Sequence, residues 1–288
     1  NRFGPFSFLR IPVLTMVADE FTRALKRAME KQLPVMELLN AVGTLMAAGE
    51  TSLTLALYRD WIAYNQDNSA GGQVWVTSDK WGPFKGDMLH LAYGTCSLFE
   101  TWKQDVNGKV QGGYTKFPLK FDSGIMRGRF SPKDGQLYLA GLKGWQNAAT
   151  RDGGFFRVRY TGKPVHTALK AHAAKNGLKI TFSTPLKPEV AKDAANYAVE
   201  LWNYRYSGGY GSPELSIKNP GKDGHDKLEV KSATLSVDGK SVFLAIDGLT
   251  KADQYSVKFT LNAADGAEMR SEIIGTIHKL GDSIIAFQ

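Results

Sequence analysis

The pattern of apolar and polar positions divides the chain into a helical part and a longer strand-forming part. Between residues 17 and 67, apolar side chains recur every three or four positions, as on one face of an α-helix. Pro34 opens a second such segment and Gly49 ends it, which predicts a helical hairpin over 17–67. From residue 68 onward, apolar and polar positions alternate, and this period of two is typical of β-strands.

The clearest strand signal surrounds the connector at residues 131–135. β-rich runs flank it at 125–130 and 136–142, and Pro132 together with Asp134-Gly135 supplies the chemistry of a hairpin turn. With the neighbouring runs, about seven strands are predicted over 68–162, and at roughly four strands per blade they form about two blades of a β-propeller.

A second group of strands begins near residue 163. Its alternating runs predict an Ig-like β-sandwich over 163–281, and they lie at 177–186, 196–202, 231–246, 255–261 and 272–277. Residues 203–228 form an insertion rich in Tyr, Gly, Asp and Lys. The predicted fold is therefore mainly β with an N-terminal α-helical hairpin, and a partial β-propeller precedes the sandwich. Residues 1–16 form an irregular apolar leader, and the tail 282–288 carries no readable signal.

The helical hairpin resembles a single tetratricopeptide repeat. The resemblance rests on the spacing from Ala41 and Val42 through Gly49 to Tyr58 and Trp61. It implies a module for protein–protein interaction, and such repeats stack in groups of about three. A generic helical hairpin is the alternative interpretation.

Four segments, at 71–83, 91–95, 121–138 and 157–164, together resemble the closing blades of large exported bacterial proteins of the planctomycete type. Those proteins carry a six-bladed, sugar-dehydrogenase-like propeller and often a c-type haem domain. The resemblance extends over 71–281, and its last part is similar to a bacterial Ig-like domain.

This resemblance implies a periplasmic or cell-surface location, although no signal peptide is visible in the chain. Pyrroloquinoline quinone or haem c is implied only for full-length relatives, because the blades that would hold the quinone and the C-x-x-C-H motif are missing here. No catalytic residue is carried over. The implied partners are other domains of a larger polypeptide, or a second copy that pairs with an exposed blade edge.

Composition narrows the function classes further. The net charge is +8, but the basic residues are scattered without interleaved aromatics, so we expect no nucleic-acid partner. No apolar run reaches the ~18 residues of a membrane span. The five histidines lack the spacing of metal ligands, and the single cysteine, Cys96, is expected to be a buried core residue.

The strongest candidate for recognition is the aromatic segment at 202–212. Aromatic faces can stack on sugar rings while polar neighbours orient the ligand, and the candidates are Trp202, Asn203, Tyr204, Arg205, Tyr206 and Tyr210. The alternative is that these aromatics pack the insertion against the last blade.

Two smaller features are expected to be structural. We expect Asp122 to form an ion pair with Arg127 or Arg129, and residues 222–226 to form a polar turn rather than a cation site.

The sequence therefore favours a non-catalytic structural or binding module with carbohydrate as a candidate ligand. A fragment of a quinone-dependent sugar dehydrogenase is the alternative, and a tetratricopeptide-type interaction module is the third.

Overall fold

The computed structural model describes residues 66–67, 69–205 and 212–285, which form mainly antiparallel β-structure. The prediction of a mainly β fold is confirmed. The expected leader 1–16 and all but the last two residues of the expected helical hairpin 17–67 lie outside the described residues, as do Tyr206 and Tyr210.

The first half of the described chain consists of two antiparallel meanders. Four strands pair in chain order in the first meander: β1 (Ala70–Trp75), β2 (Met88–Ala92), β3 (Ser97–Val106) and β4 (Lys109–Lys120). Three strands form the second: β5 (Gly124–Phe130), β6 (Leu137–Leu142) and β7 (Gly153–Val158). Within 69–205 and 212–285, the two meanders do not close into a propeller or a barrel.

The connector between β5 and β6 forms the predicted hairpin turn. The amide of Ser131 donates to the carbonyl of Gln136 at 2.9 Å, and the amide of Gly135 donates to the carbonyl of Ser131 at 2.8 Å. Gly135 has a φ of +70°, a conformation that glycine adopts without a steric cost. Local turn chemistry therefore determines this element.

Among the described residues, the second half contains nine further strands, one short α-helix and a 3₁₀ turn at Ala194–Asn196. The strands are β8 (Ala168–Ala174), β9 (Gly177–Phe182), β10 (Tyr197–Tyr204), β11 (Glu214–Leu215), β12 (Asp226–Leu228), β13 (Val230–Leu235), β14 (Ser241–Ile246), β15 (Ala252–Asn262) and β16 (Glu268–Ile277). The helix α1 (Pro188–Ala191) begins at a proline, which is favoured in a first helical turn.

One large sheet runs through both halves in the order β1-β2-β3-β4-β16-β15-β10-β11, and β12 also pairs with β10. The join is the antiparallel pairing of β4 with β16, where Tyr114 lies opposite Ile274. These hydrogen bonds cross the domain boundary expected between residues 162 and 163. That boundary stays a prediction.

A second sheet, in the order β13-β14-β9-β8, packs on the large sheet as in a sandwich. Phe182 of β9 meets Phe259 of β15 edge to face, with ring centroids 5.5 Å apart. Gln104 of β3 also ties the sheets together, because its amide donates to the carbonyl of Ala173 at 3.1 Å and accepts from the amide of Ala173 at 3.0 Å.

A separate core lies between the β5–β7 sheet and the first strands of the large sheet. Its fully buried side chains include Leu98, Ile125, Leu137 and Leu139, and Cys96 is buried beside them as predicted. Alternation along β6 directs Leu137 and Leu139 inward, so Tyr138 and Ala140 lie on the opposite face. In the described part of the chain, no helix is long and apolar enough to span a bilayer.

Candidate ligand-binding surface

The structure buries the first residue of the predicted aromatic site. Trp202 is 2% exposed, and its ring stacks on the imidazole of His225 with centroids 4.1 Å apart and planes at 9°. A ligand can stack on that face of Trp202 only after His225 has moved. The recognition role of the segment stays a prediction.

The neighbouring residues make backbone contacts that hold the end of β10. The Asn203 side chain accepts from the amide of Asp253 at 2.8 Å, and the amide of Tyr204 donates to the carboxylate of Asp253 at 2.9 Å. Burial raises the pKa of the Tyr204 hydroxyl to about 12. Arg205 is exposed, and its amide donates to the Ser212 hydroxyl at 2.6 Å.

His225 connects the insertion to β10 through two carboxylates. Its Nδ1 lies 3.1 Å from a carboxylate oxygen of Glu200, and its Nε2 lies 2.6 Å from one of Glu214. Both ring nitrogens therefore lie within hydrogen-bond distance of a carboxylate, and the imidazole bridges the two glutamates. The three residues are separate in sequence, so residue spacing gave no signal for this cluster.

The adjacent turn is organised by Asp226. Its carboxylate accepts from the amides of Ile217 at 2.6 Å and Lys218 at 2.9 Å and from the hydroxyl of Ser216 at 2.7 Å. Burial alone would raise the pKa of Asp226, but these hydrogen bonds lower it overall. Among the residues that the structure describes, no group of three or more His, Cys, Asp or Glu side chains is arranged to hold a metal ion.

Two carboxyl groups form a pair, one just before β2 (Asp87) and one within β3 (Glu100). Glu100 is 2% exposed and shares a hydrogen bond with Asp87. Burial raises the pKa of Glu100 well above its usual range, with a further increase from the Asp87 charge, and burial raises the pKa of Asp87 to about 6. Glu100 is therefore out of reach of a polymeric substrate, whereas Asp87 is half-buried.

The outer face of the β5–β7 sheet combines exposed aromatic and cationic side chains. Phe155 of β7 is 74% exposed, and its ring stacks beside Tyr138 with centroids 5.7 Å apart and planes at 28°. The strand register places Arg129, Tyr138 and Arg157 side by side across the three strands. Arg127, Ala140 and Phe155 form the next row on the same face. We call these six residues the arginine–aromatic face.

The arginines on this face are positioned by backbone contacts. Nη1 of Arg127 donates to the carbonyls of Gly71 and Met126, both at 2.8 Å, and Nη1 of Arg129 donates to Gly128 at 2.7 Å. The expected ion pair with Asp122 is wrong for both arginines, because Asp122 lies 3.5 Å from Arg151 instead. Asp122 lies in the connection between β4 and β5, where its carbonyl accepts from the amides of Thr150 and Arg151, both at 2.9 Å.

A single carboxylate lies against the centre of the arginine–aromatic face. Asp134 accepts from the Tyr138 hydroxyl at 2.7 Å and from the amide of Gln136 at 3.0 Å. The amide of Gln136, the Tyr138 hydroxyl and the nearby Arg157 charge lower the pKa of Asp134 below its usual value. The face therefore offers an aromatic surface, cationic donors and an anionic acceptor together.

The alternation of Arg127 and Arg129 is visible in the sequence, but their aromatic neighbours are supplied by two other strands. The face is therefore recognisable only once the strand register is known.

No protein-family model, curated protein or solved structure matches this chain.

Proposed function

We propose that this protein is a non-catalytic binding module that holds a carbohydrate on its arginine–aromatic face. The observation that carries the proposal is the exposed ring of Phe155 stacked beside Tyr138. A contiguous exposed apolar patch with a polar rim marks an interaction site. The C–H face of a pyranose ring is apolar and fits such a surface, while its hydroxyl groups can bond to the surrounding polar side chains.

The same proposal includes an origin in the closing blades of an exported propeller protein. Its support is the pairing of β1–β4 in chain order, which is the arrangement of strands within a blade. In that setting the module would bind a glycan or a neighbouring domain outside the cytoplasm. Pyrroloquinoline quinone and haem c would belong to other parts of such proteins.

The test is binding of the purified chain to a panel of soluble and insoluble polysaccharides, followed by the Phe155→Ala variant. We expect Phe155→Ala to weaken binding about 10-fold or more, since covering a phenylalanine side chain contributes roughly 1.5–3 kcal/mol. Because Phe155 is exposed, the midpoint of thermal unfolding should change little.

Val237→Ala is the matched control, because Val237 is 91% exposed and lies in the turn between β13 and β14. Its binding should equal that of the parent protein. Equal binding by Phe155→Ala, or no binding of any polysaccharide by the parent protein, would contradict the proposal.

A further inference from the structure

The spacing of charges on the arginine–aromatic face restricts which carbohydrate fits it. Arg129 and Arg157 flank Tyr138 in one cross-strand row. Since neighbouring strands lie about 4.8 Å apart, the two arginine Cα atoms are separated by about 10 Å. Arg127 lies two positions along β5 in the next row, beside Ala140 and Phe155. Three arginines therefore share one sheet face with the aromatic pair.

The charge on this face is unbalanced. The face carries three arginines, whereas Asp134 is the carboxylate that bonds to Tyr138, and the whole chain carries a net charge of +8. Like charges brought together on a surface repel one another unless an anion binds between them. An anionic ligand would relieve that repulsion.

The guanidinium groups remain able to bind a ligand. The described contacts of Arg127 and Arg129 are made through Nη1, and each guanidinium carries five N–H donors. Backbone contacts also hold these side chains in place, so less conformational entropy is lost when a ligand binds. A guanidinium fork matches the two oxygens of a carboxylate.

We propose that the ligand is an acidic polysaccharide, with a sugar ring on Tyr138 and Phe155 and uronate carboxylates on the flanking arginines. This inference rests on the proposed function and specifies the class of its ligand. Sugar hydroxyls donate to Asp134 as well as accept from arginine, so the single carboxylate becomes part of the recognition.

These features favour a glycan over a single-stranded nucleic acid. A phosphate backbone has no donor for Asp134 and is repelled by it. The two rings form one joined surface, with centroids 5.7 Å apart. Single-stranded nucleic-acid sites instead stack successive bases on separate aromatics along a positively charged groove.

The experiment measures the affinity of the full chain for polygalacturonate, alginate and hyaluronate, and for carboxyl-reduced forms of the same polymers. We expect at least one acidic polymer to bind about 10-fold more tightly than its reduced form. The affinity for the acidic polymer should fall several-fold between 50 and 300 mM salt, because salt screens charge pairing at a surface. Arg129→Gln and Arg157→Gln should each weaken binding of the acidic polymer about 5-fold or more, while binding of the reduced polymer changes less than about two-fold.

Arg270→Gln is the matched control, because Arg270 is an exposed arginine on β16, outside this face. Equal binding of acidic and reduced polymers, lost only with Phe155→Ala, would overturn the inference and leave the proposed function standing. No binding of any polymer would overturn both. Tighter binding of a single-stranded oligonucleotide that displaces the polysaccharide would assign the face to nucleic acid and overturn the inference.

Discussion

At the scale of single residues, His225 gives the insertion its attachment to β10. The imidazole lies between Glu200 and Glu214 and covers one face of Trp202. The two glutamate side chains are 19% and 29% exposed. Removal of the imidazole would leave the two carboxylates close together with no ring between them, and it would also uncover one face of Trp202. The stability of the protein and the exposure of Trp202 therefore both depend on His225.

We therefore expect His225→Ala to lower the free energy of unfolding by about 1–3 kcal/mol. The fluorescence of the protein should also shift to longer wavelength, because water gains access to the ring of Trp202. Urea unfolding and emission spectra provide the measurements. His172→Ala is the control, since His172 is also partly exposed but no ion pair is described for it, and it should change stability by less than about 0.5 kcal/mol. An unchanged unfolding curve for His225→Ala would contradict this role.

The buried carboxyl pair predicts a pH dependence with a definite sign. The pKa of Asp87 is raised from 3.8 to about 6, and that of Glu100 is raised as well. The folded protein therefore binds protons more tightly than the unfolded chain. The stability that the protonated pair contributes is fully present below the unfolded pKa values. It is lost as the pH rises through the folded values, and the two groups titrate as one coupled pair.

The thermal midpoint should accordingly rise when the pH is lowered from 8 to 5, as measured by calorimetry. Glu100→Gln should reduce this rise, since an amide keeps the shape of the protonated carboxyl without a titrating proton. It should also raise the midpoint at pH 8 by about 2–4 °C, the shift that about 1 kcal/mol gives in a chain of this size. Glu268→Gln serves as the exposed control. Equal pH dependence in Glu100→Gln and the parent protein would refute this assignment.

At the scale of elements, the pairing of β4 with β16 depends on a glycine. A Cβ atom added at Gly113 would lie 2.1 Å from the carbonyl oxygen of Ile274 and 2.7 Å from the Cα of Gly275. Both contacts are with the backbone of β16, which cannot move aside without separating the strands. Close approach at this position therefore joins the two parts of the large sheet.

Gly113→Ala should lower the free energy of unfolding by about 3 kcal/mol, at the upper end of the cost of overpacking. Gly153→Ala is the control, because the nearest atom to its added Cβ is the carbonyl oxygen of Gly141 at 3.6 Å. Urea denaturation compares the two variants. A Gly113→Ala protein as stable as Gly153→Ala would show that β4 and β16 tolerate separation.

Elements that local chemistry determines are predictable from the sequence. The turn at 131–135 and the alternation of Leu137 and Leu139 are encoded within a few residues, and both have the predicted structure. The pairing of β4 with β16 joins positions such as Gly112 and Thr276, which are 164 residues apart, and no local pattern specifies it. The arginine–aromatic face was missed for the same reason, because the sequence shows which residues alternate but not which strand lies beside them.

At the scale of the whole described chain, two hydrophobic cores share one sheet. The sandwich core lies between the large sheet and β13-β14-β9-β8, and the second core lies under the β5–β7 sheet. The arginine–aromatic face is the outer side of the second core, so its three strands are supported from below by buried leucines. A rigid support keeps a binding surface in one geometry and limits the entropy lost on binding.

The shared sheet also limits how the gene can be rearranged. A recombination event between the codons for residues 162 and 163 would separate β4 from β16 and deprive each product of strand partners. Each product would expose an unpaired strand edge that invites aggregation. We therefore expect the two parts to be inherited together, and insertions to be tolerated in the turns between strands rather than between residues 162 and 163.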